Sequence, residues 1–252
     1  MQDKTFLKEI FTSIQGEGLF VGQKQIFIRF CDCNLSCSYC DTDFTRSKYC
    51  NVFSLENYND NRADSTQILN PVSVGQLLKI ISGFDKTIET IAITGGEPLL
   101  SSDFLMLSLP VIKKETRHKI LLETNATLPE PFAKISKYVD ILSFDIKLPS
   151  VGSHKSLWPD YEKFIRYIPK KVLSYCKIVV NKDVSCQDLL QTAKLLKGLS
   201  GIIIFIQPEI NSFLEKTISL EKLDLIRKDL LSKLPSLDIR ILPQLHKLIK
   251  IY

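Results

Sequence analysis

Three cysteines on one short loop constrain this chain more than any other feature. Cys33, Cys37 and Cys40 are separated by three and then two residues, and they follow an apolar, strand-like run over residues 25–30. Cysteine thiolates hold iron–sulfur clusters, and a cubane has four irons, so three cysteines would leave one iron without a protein ligand. The loop therefore predicts an iron–sulfur cluster with one open position, and its alternative is a structural zinc site.

The zinc alternative requires a closed set of four nitrogen or sulfur ligands. The remaining candidates are dispersed and form no second paired cluster: Cys31, Cys50, Cys176, Cys186, His118, His154 and His246. A second motif favours the cluster, because an apolar run over residues 91–94 leads into Gly-Gly-Glu-Pro at residues 95–98. Two glycines allow the backbone to approach a ligand closely.

The cysteine loop followed by Gly-Gly-Glu-Pro resembles the radical S-adenosylmethionine superfamily. The resemblance implies that Cys33, Cys37 and Cys40 hold a 4Fe-4S cluster and that the methionine end of S-adenosylmethionine binds the open iron. It further implies that Gly96 and Glu97 contact this cofactor near its amino group. Radical chemistry on a small substrate would follow.

Composition sets further limits. The chain has 252 residues, of which 44% are hydrophobic, and this length suits one domain spanning residues 1–252. No apolar stretch approaches the roughly 18 residues that cross a bilayer, and the first residues carry no secretory signal. Seven cysteines, an odd number with three on one loop, argue against a disulfide framework. We therefore expect a cytoplasmic protein without a membrane partner.

The charge balance is mildly basic. Lys and Arg exceed Asp and Glu by five (33 − 28), and the isoelectric point of about 8.7 is below the value of about 9 that is typical of nucleic-acid-binding domains. The lysines are spread over predicted helix faces, where solvent exposure accounts for them. We expect no nucleic-acid partner.

Apolar, β-rich runs alternate with segments of helical periodicity. The six predicted strands cover residues 26–30, 88–94, 119–123, 139–145, 172–180 and 201–207. The clearest predicted helices cover residues 73–83, 158–168, 185–197 and 219–233. Such alternation predicts an α/β fold with a parallel sheet and outer helices. Six strands match the partial, open (β/α)6-type barrel of the radical S-adenosylmethionine superfamily.

A polar stretch over about residues 46–70 has no sustained apolar period and predicts a long surface-loop insertion. Cys50 lies in this stretch, and we expect it to be a free, exposed thiol. Cys31 lies at the end of the first predicted strand, with its side chain directed away from that of Cys33. We expect Cys31 to be a small core residue.

The first 43 residues contain more than a cluster loop requires. Glu-Ile-Phe-Thr-Ser-Ile-Gln-Gly-Glu-Gly at residues 9–18 and Cys-Asp-Thr at 40–42 resemble the 7-carboxy-7-deazaguanine synthase family, as does Leu-Pro-Gln-Leu-His-Lys at 242–247. The resemblance implies conversion of 6-carboxy-5,6,7,8-tetrahydropterin to 7-carboxy-7-deazaguanine, a ring contraction with loss of ammonia on the route to queuosine and related deazapurines. It also implies Mg2+, an electron donor such as flavodoxin or ferredoxin, and a homodimer.

A pterin presents a flat edge of donors and acceptors together with a carboxylate, so its site needs amide, carboxylate and guanidinium partners. The family resemblance implies a substrate site formed by Ile14, Gln15, Gly16, Glu17, Arg29, Thr94 and Tyr252. It also aligns Thr42 with a magnesium ligand. One hydroxyl suffices because magnesium keeps waters and can take oxygens from the substrate. For Tyr252, a terminal carboxylate docked on the substrate and a frayed end are both open.

For S-adenosylmethionine, the resemblance implies contacts from Tyr39, Gly96, Glu97, Glu123, Asn125, Ser143, Asp145, Lys147 and Gln207. Three groups of these residues follow predicted strands, at the edge where barrel enzymes place their chemistry. No catalytic residue beyond the cofactor ligands is implied. Two positions depart from the family pattern, because Ala126 stands where a glycine is usual and Asp32 stands where a small residue is common.

Two other functions are open at this point. An activase that makes a glycyl radical on a partner protein shares the cysteine spacing and Gly-Gly-Glu-Pro, but it lacks Ser-Ile-Gln-Gly-Glu-Gly and Cys-Asp-Thr. A non-catalytic metal-binding module would use a cluster or zinc only to stabilise its fold. Cleavage of S-adenosylmethionine by anaerobically purified protein distinguishes an enzyme from such a module.

Overall fold

The computed structural model describes residues 3–40, 42–55, 65–152 and 155–249. Its strands are β1 (Lys4–Thr5), β2 (Leu7–Ile14), β3 (Lys24–Phe30), β4 (Tyr49–Phe53), β5 (Thr66–Leu69), β6 (Val72–Ser73), β7 (Thr90–Gly95), β8 (Lys119–Thr124), β9 (Ile141–Ile146), β10 (Leu173–Val180), β11 (Ile203–Pro208) and β12 (Asp238–Ile241). Its α-helices are α1 (Val74–Ser82), α2 (Ser102–Glu115), α3 (Pro129–Ile135), α4 (Pro149–Gly152), α5 (Trp158–Arg166), α6 (Cys186–Leu196), α7 (Ile210–Leu214), α8 (Leu220–Lys233) and α9 (Leu245–Leu248).

A ten-stranded mixed sheet organises the described part of the chain, in the order β12-β11-β10-β9-β8-β7-β3-β2-β4-β5. All neighbouring pairs from β12 to β3 are parallel, whereas β2 is antiparallel to β3 and parallel to β4. Within the described ranges no pairing joins β12 to β5, so the barrel is open. The predicted α/β fold with a partial, open barrel is confirmed, and its six strands correspond to β3 and β7 to β11.

Alternation along the parallel strands separates an apolar layer inside the barrel from polar residues at its C-terminal edge. The apolar layer consists of Phe11, Phe27, Phe53, Ala92, Leu121, Ile141, Tyr175 and Phe205. Because successive side chains of a strand point to opposite faces, the residue two positions after each of these faces the same interior. Leu121 is thus followed by Glu123 and Tyr175 by Lys177, at the edge where the site lies.

Helices cover the outer face of the parallel sheet and bury the larger apolar core. Helix α1 begins with a capping box in which Ser73 and Gln76 satisfy each other's backbone donors. Between α3 and α5, the rings of Phe132 and Phe164 stack with centroids 4.4 Å apart. These contacts hold the strands in register while leaving their C-terminal edge open.

The predicted surface loop over residues 46–70 is wrong in part. The segment contains β4, which extends the sheet beside β2, and β5, which pairs antiparallel to β4. Cys50 lies in β4 and is fully buried, so the expected exposed thiol is also wrong. Pairing with the distant strand β2 stabilises this short, polar segment, which its own pattern does not predict. Residues 56–64 lie outside the described ranges.

Cys31 is confirmed as a core residue, because only 3% of its surface is exposed. All seven cysteines are among the described residues, and none of them forms a disulfide bond. No helix in the described ranges is long and apolar enough to cross a membrane.

Candidate active site

A cavity of about 680 Å³ opens at the C-terminal edge of the parallel strands. The cluster loop, the glycines after β7, the polar ends of β8 to β11 and the residues of α9 all contribute to its lining. Cys33, Cys37 and Cys40 line it together. The structure therefore brings the cysteine loop and the strand ends to one place, as the sequence predicts.

The cysteine loop has the donor set of an open cluster. Burial raises the pKa of the Cys33 and Cys37 thiols, whereas Cys40 is exposed. Among the described residues, no three His, Cys, Asp or Glu side chains converge as a single metal ion requires. Each thiolate of a cluster binds its own iron, so three cysteines around one cavity fit a 4Fe-4S cluster better than a closed zinc site.

Gly96 packs directly against the backbone of the cluster loop. Its N–H donates to the Phe30 carbonyl at 3.1 Å, and the N–H of Glu97 donates to the Asp32 carbonyl at 2.8 Å. A Cβ at position 96 would lie 1.8 Å from the Asp32 carbonyl oxygen. The second glycine of Gly-Gly-Glu-Pro is therefore a steric requirement of this loop.

Both departures from the family pattern lie in the left-handed region of the backbone. Asp32 has a φ of 65° and Ala126 a φ of 58°. Asp tolerates this conformation, and its carboxylate is paired with Arg46 at 2.8 Å. Ala126 is strained by its Cβ, which explains why glycine suits this position.

Glu97 is fully buried behind the cavity wall. Its carboxylate accepts hydrogen bonds from the backbone N–H groups of Leu99 at 3.0 Å and Asn125 at 2.8 Å, and from the Thr124 hydroxyl at 2.8 Å. Burial raises its pKa to about 7 despite these donors. Glu97 thus orients the turn after β8, which carries Asn125 into the cavity wall.

The side chain of Asn125 approaches the cluster loop. Its Nδ2 lies 3.9 Å from the Cys33 Sγ and donates to the Asn34 Oδ1 at 2.9 Å. Asn34 in turn donates to the Thr127 hydroxyl at 2.8 Å. A chain of amides therefore connects the first cysteine to the end of β8.

A second network joins four of the predicted residues. The Glu123 carboxylate accepts from the Gln15 Nε2 at 3.0 Å and from the Thr94 hydroxyl at 2.9 Å. Gln15 also accepts from the backbone N–H of Glu17 at 3.0 Å. Residues predicted for substrate and for cofactor are thus in direct contact across the cavity.

The Glu17 carboxylate is bound by donors from three elements. Its Oε2 accepts from the Lys177 Nζ of β10 at 2.5 Å, and its Oε1 accepts from Gln244 at 2.6 Å and from Gln207 of β11 at 3.3 Å. Burial raises the pKa of Glu17, but the charges of Lys177 and His246 and these hydrogen bonds lower it to about 2. Glu17 is therefore an ionised acceptor.

Lys177 also approaches Asp145, with Nζ 3.4 Å from Oδ1. The other oxygen of Asp145 is paired with Lys147 at 2.7 Å, and the Lys147 ammonium lies 5.6 Å from the centroid of the Tyr39 ring. Burial lowers the pKa of Lys147, but Asp145 reverses this effect and raises it well above its usual value. Alternating charges thus extend from Glu17 to Tyr39 beside the cluster loop.

Arg29 lines the cavity while its Nε is paired with the Glu9 carboxylate at 2.8 Å. Glu9 is buried, and the Arg29 guanidinium lies 5.5 Å from the centroid of the Phe11 ring. The Nε lies at ion-pair distance from Glu9 but lacks the geometry of a hydrogen bond, so charge and the Phe11 ring hold the side chain in place.

Residues of the C-terminal segment close the side of the cavity next to Gly16. The N–H of Leu245 donates to the Gly16 carbonyl at 2.9 Å. A Cβ at position 16 would lie 2.2 Å from the His246 ring. Ile14 and Thr42 also line the cavity.

Three of the predicted residues are not among the described residues that line the cavity. Ser143 is fully buried, like Glu97, and Tyr252 lies outside the described residues. Sequence reasoning missed Lys177, His246, Glu209 and Asn211 as lining residues. The signal for Lys177 was a single lysine within the apolar run of β10, and the signal for His246 was its place in the motif at residues 242–247. Glu209 and Asn211 gave no signal that a local pattern could reveal.

Comparisons with known proteins agree with this geometry. The family model of the Radical SAM superfamily matches residues 27–196. The chain is 32% identical over 247 residues to a 7-carboxy-7-deazaguanine synthase of Geobacter sulfurreducens, covering 96% of this chain and 95% of the relative. It is 34% identical over 245 residues to a synthase of the same name from Methanopyrus kandleri, covering 96% and 92%. The crystal structure of QueE from Escherichia coli has the same fold, with a TM-score of 0.57 and 20% identity over 97% of this chain and 96% of that one.

Proposed function

We propose a role for each group of residues in the cavity of this chain, which belongs to the radical S-adenosylmethionine superfamily. Within that superfamily, the chain belongs to the 7-carboxy-7-deazaguanine synthase family. It is a radical S-adenosylmethionine lyase of 7-deazapurine biosynthesis that converts 6-carboxy-5,6,7,8-tetrahydropterin to 7-carboxy-7-deazaguanine. This family assignment decides against the two alternative functions, the glycyl-radical activase and the non-catalytic metal-binding module. The observation that carries the residue roles is that the three cysteines and the Glu17 carboxylate line one cavity.

Cys33, Cys37 and Cys40 would hold the 4Fe-4S cluster. When bound, the cluster supplies the electron that cleaves S-adenosylmethionine. The chain's own contribution is to hold the cofactor, and the residues we propose for this are Tyr39, Gly96, Glu123, Asn125, Asp145, Lys147 and Gln207, all of which line the cavity. Glu97 and Ser143 would act from behind the wall, since both are fully buried.

Arg29 would bind the carboxylate of the pterin. Glu9 already pairs with its Nε, which leaves the terminal N–H groups of the guanidinium for a second carboxylate. Glu17, as a fixed anion, would accept from the N–H groups of the heterocycle, since charged acceptors form the stronger hydrogen bonds. Gln15 and Thr94 would complete this edge next to Ile14 and Gly16.

Thr42 would provide a hydroxyl ligand to Mg2+. It lines the cavity on the same loop as the cysteines, and magnesium can take its remaining ligands from water and from substrate oxygens. Tyr252 lies outside the described residues, and its contact with the substrate stays a prediction.

Cytoplasmic location, a homodimer and reduction by flavodoxin or ferredoxin complete the proposal. Seven free thiols, three of them lining an open cavity, suit a reducing compartment. Light scattering on the purified protein tests the dimer, and reduction of the cluster by either donor protein tests the partner.

The decisive experiment is an anaerobic assay of the reconstituted protein with 6-carboxytetrahydropterin, S-adenosylmethionine, dithionite and Mg2+. Mass spectrometry should detect 7-carboxy-7-deazaguanine and 5′-deoxyadenosine. Cys37→Ala should form neither product. A protein with a complete cluster that cleaves S-adenosylmethionine but leaves the pterin unchanged would refute the proposed substrate.

A further inference from the structure

Lys177 is a charged residue in the interior of the barrel. It lies in the middle of β10, and only 5% of its surface is exposed. Its Nζ is 2.5 Å from Glu17 and 3.4 Å from Asp145. These two carboxylates belong to different parts of the cavity, since Glu17 follows β2 and Asp145 lies at the end of β9.

A buried ion pair is a weak source of fold stability. Its neighbours on the same face of β10, Tyr175 and Val179, are buried and apolar. Taking an ammonium and a carboxylate out of water is costly, and replacing a buried ion pair by apolar residues of similar volume is often neutral or stabilising. A buried lysine at the mouth of a cavity therefore suits a role in the site.

We propose that Lys177 is a positioning residue, which holds the Glu17 carboxylate charged and directed at the substrate and connects it to Asp145 in the cofactor subsite. The inference rests on the proposed function, because the role of Glu17 as a pterin acceptor comes from it.

The surroundings of Glu17 explain why this residue depends on Lys177. The groups that face its carboxylate are Lys177 and Tyr175 of β10, His246 of α9, and the neutral amides of Gln207 and Gln244. Lys177 is the only permanent cation among these groups in the described part of the chain. Without it, the burial that raises the pKa of Glu17 is opposed mainly by His246 and by amide hydrogen bonds.

Lys177 itself faces three acidic groups. Asp145, Glu17 and Glu123 all raise its pKa, against the lowering effect of burial. When Lys177 is removed, Asp145 keeps Lys147 as a charged partner. Among the described residues, Glu17 then has no partner with a permanent charge. Replacement of Lys177 should therefore alter the ionisation of Glu17 more than that of Asp145.

The test is the dissociation constant of 6-carboxytetrahydropterin for the cluster-reconstituted protein, measured anaerobically by calorimetry at about pH 6, 7 and 8. The variants are Lys177→Met, Glu17→Gln and the double variant. Lys177→Met should weaken pterin binding more at pH 6 than at pH 8, relative to wild type, because burial then raises the pKa of Glu17 with less opposition and the ionised fraction of a carboxyl group falls by up to about tenfold for each pH unit below its pKa. The double variant should show no more pH dependence than Glu17→Gln alone.

Two controls separate this role from a loss of folding. Lys113→Met removes an ion pair with Asp140, whose oxygens are both 2.6 Å from the Lys113 Nζ, on the outer side of the barrel. It should leave the pH profile of binding unchanged. Lys177→Arg keeps the charge and should keep the wild-type profile even where its affinity is reduced. Lys177→Gln, which is neutral but polar, replaces Lys177→Met as the test if the Met variant does not fold.

Four results would overturn the inference. A Lys177→Met profile parallel to wild type shows that Glu17 does not depend on Lys177. A Lys177→Arg profile with the pH dependence expected of the Met variant shows that the charge at position 177 is not what keeps Glu17 ionised. Excess pH dependence that persists in the double variant assigns the effect to Asp145. A wild-type protein that binds no pterin at any pH removes the proposed function, and the positioning role with it, whereas the first results leave the proposed function intact.

Discussion

Replacing Gly96 by Ala should displace the cluster loop. The added Cβ would lie 1.8 Å from the carbonyl oxygen of Asp32 and 3.1 Å from the backbone N of Cys33. Because a carbon and a carbonyl oxygen approach each other to no less than about 3.3 Å, the loop must move by about 1.5 Å. Both atoms belong to backbone, so no side-chain rotation relieves the contact.

The displacement should affect iron binding more than folding. Overpacking of this kind costs about 1–3 kcal/mol, which a domain of this size can lose while remaining folded. A misplacement of about 1 Å at a reacting centre can cost about a hundredfold in rate, and here it affects the loop that carries all three cysteines. We expect iron incorporation and 5′-deoxyadenosine formation to fall severely, with a small decrease in the free energy of unfolding.

The assay compares iron content and the absorbance of the reconstituted cluster with the free energy of unfolding from urea denaturation of the metal-free protein. Gly75→Ala is the matched control, because its Cβ would meet no heavy atom within 4 Å and it lies in the first turn of α1. It should bind iron normally and gain about 0.5–1 kcal/mol. Full iron content and normal turnover in Gly96→Ala would refute the steric argument.

Three further outcomes are expected. Cys37→Ala should lose iron binding while Cys186→Ala, which removes an exposed thiol on α6, keeps it; the opposite result would exclude the cluster assignment. Thr42→Val should lower turnover and its dependence on Mg2+ without changing iron content, and unchanged magnesium dependence would remove Thr42 as a ligand. Glu17→Gln should change the acid stability of the protein. Burial raises the pKa of Glu17 but Lys177 and His246 lower it to about 2, so the ionised carboxylate contributes stability that is complete above its ordinary value of 4.5 and is lost as the pH falls toward 2. Between about pH 5 and pH 2.5 the variant should therefore lose less stability than wild type, by no more than about 3 kcal/mol, and equal losses by urea denaturation would contradict the pairing.

Elements that bury long apolar runs could be predicted from the sequence. Strand β10 was expected at residues 172–180 and helix α8 at 219–233, and the structure has them within one residue at each end. Helix α2 was missed because Pro110 and interior serines interrupt its period. Strand β4 was missed because its stability comes from pairing with β2, for example between Glu9 and Asn51. A local pattern carries no information about such a partner.

In the site, too, contiguous motifs could be predicted from the sequence and long-range contacts could not. The three cysteines and Gly-Gly-Glu-Pro are contiguous motifs, and the cavity contains both. The contacts of Lys177 and Gln244 with Glu17 join residues that are 160 and 227 positions apart. They result from the way in which the barrel brings β10 and the C-terminal segment to the turn after β2, and no spacing in the sequence predicts them.

The distance between Glu17 and Gln244 along the chain also orders events during synthesis. A ribosome adds about 5–20 residues per second, so roughly 10–45 s separate the appearance of these two residues, which lie 227 positions apart. The cysteine loop is made within the first 40 residues, long before α9 can bond to Gly16. A nascent chain therefore exposes its three thiols well before the pterin site is complete. Iron can be delivered during translation at a stage when substrate cannot yet bind.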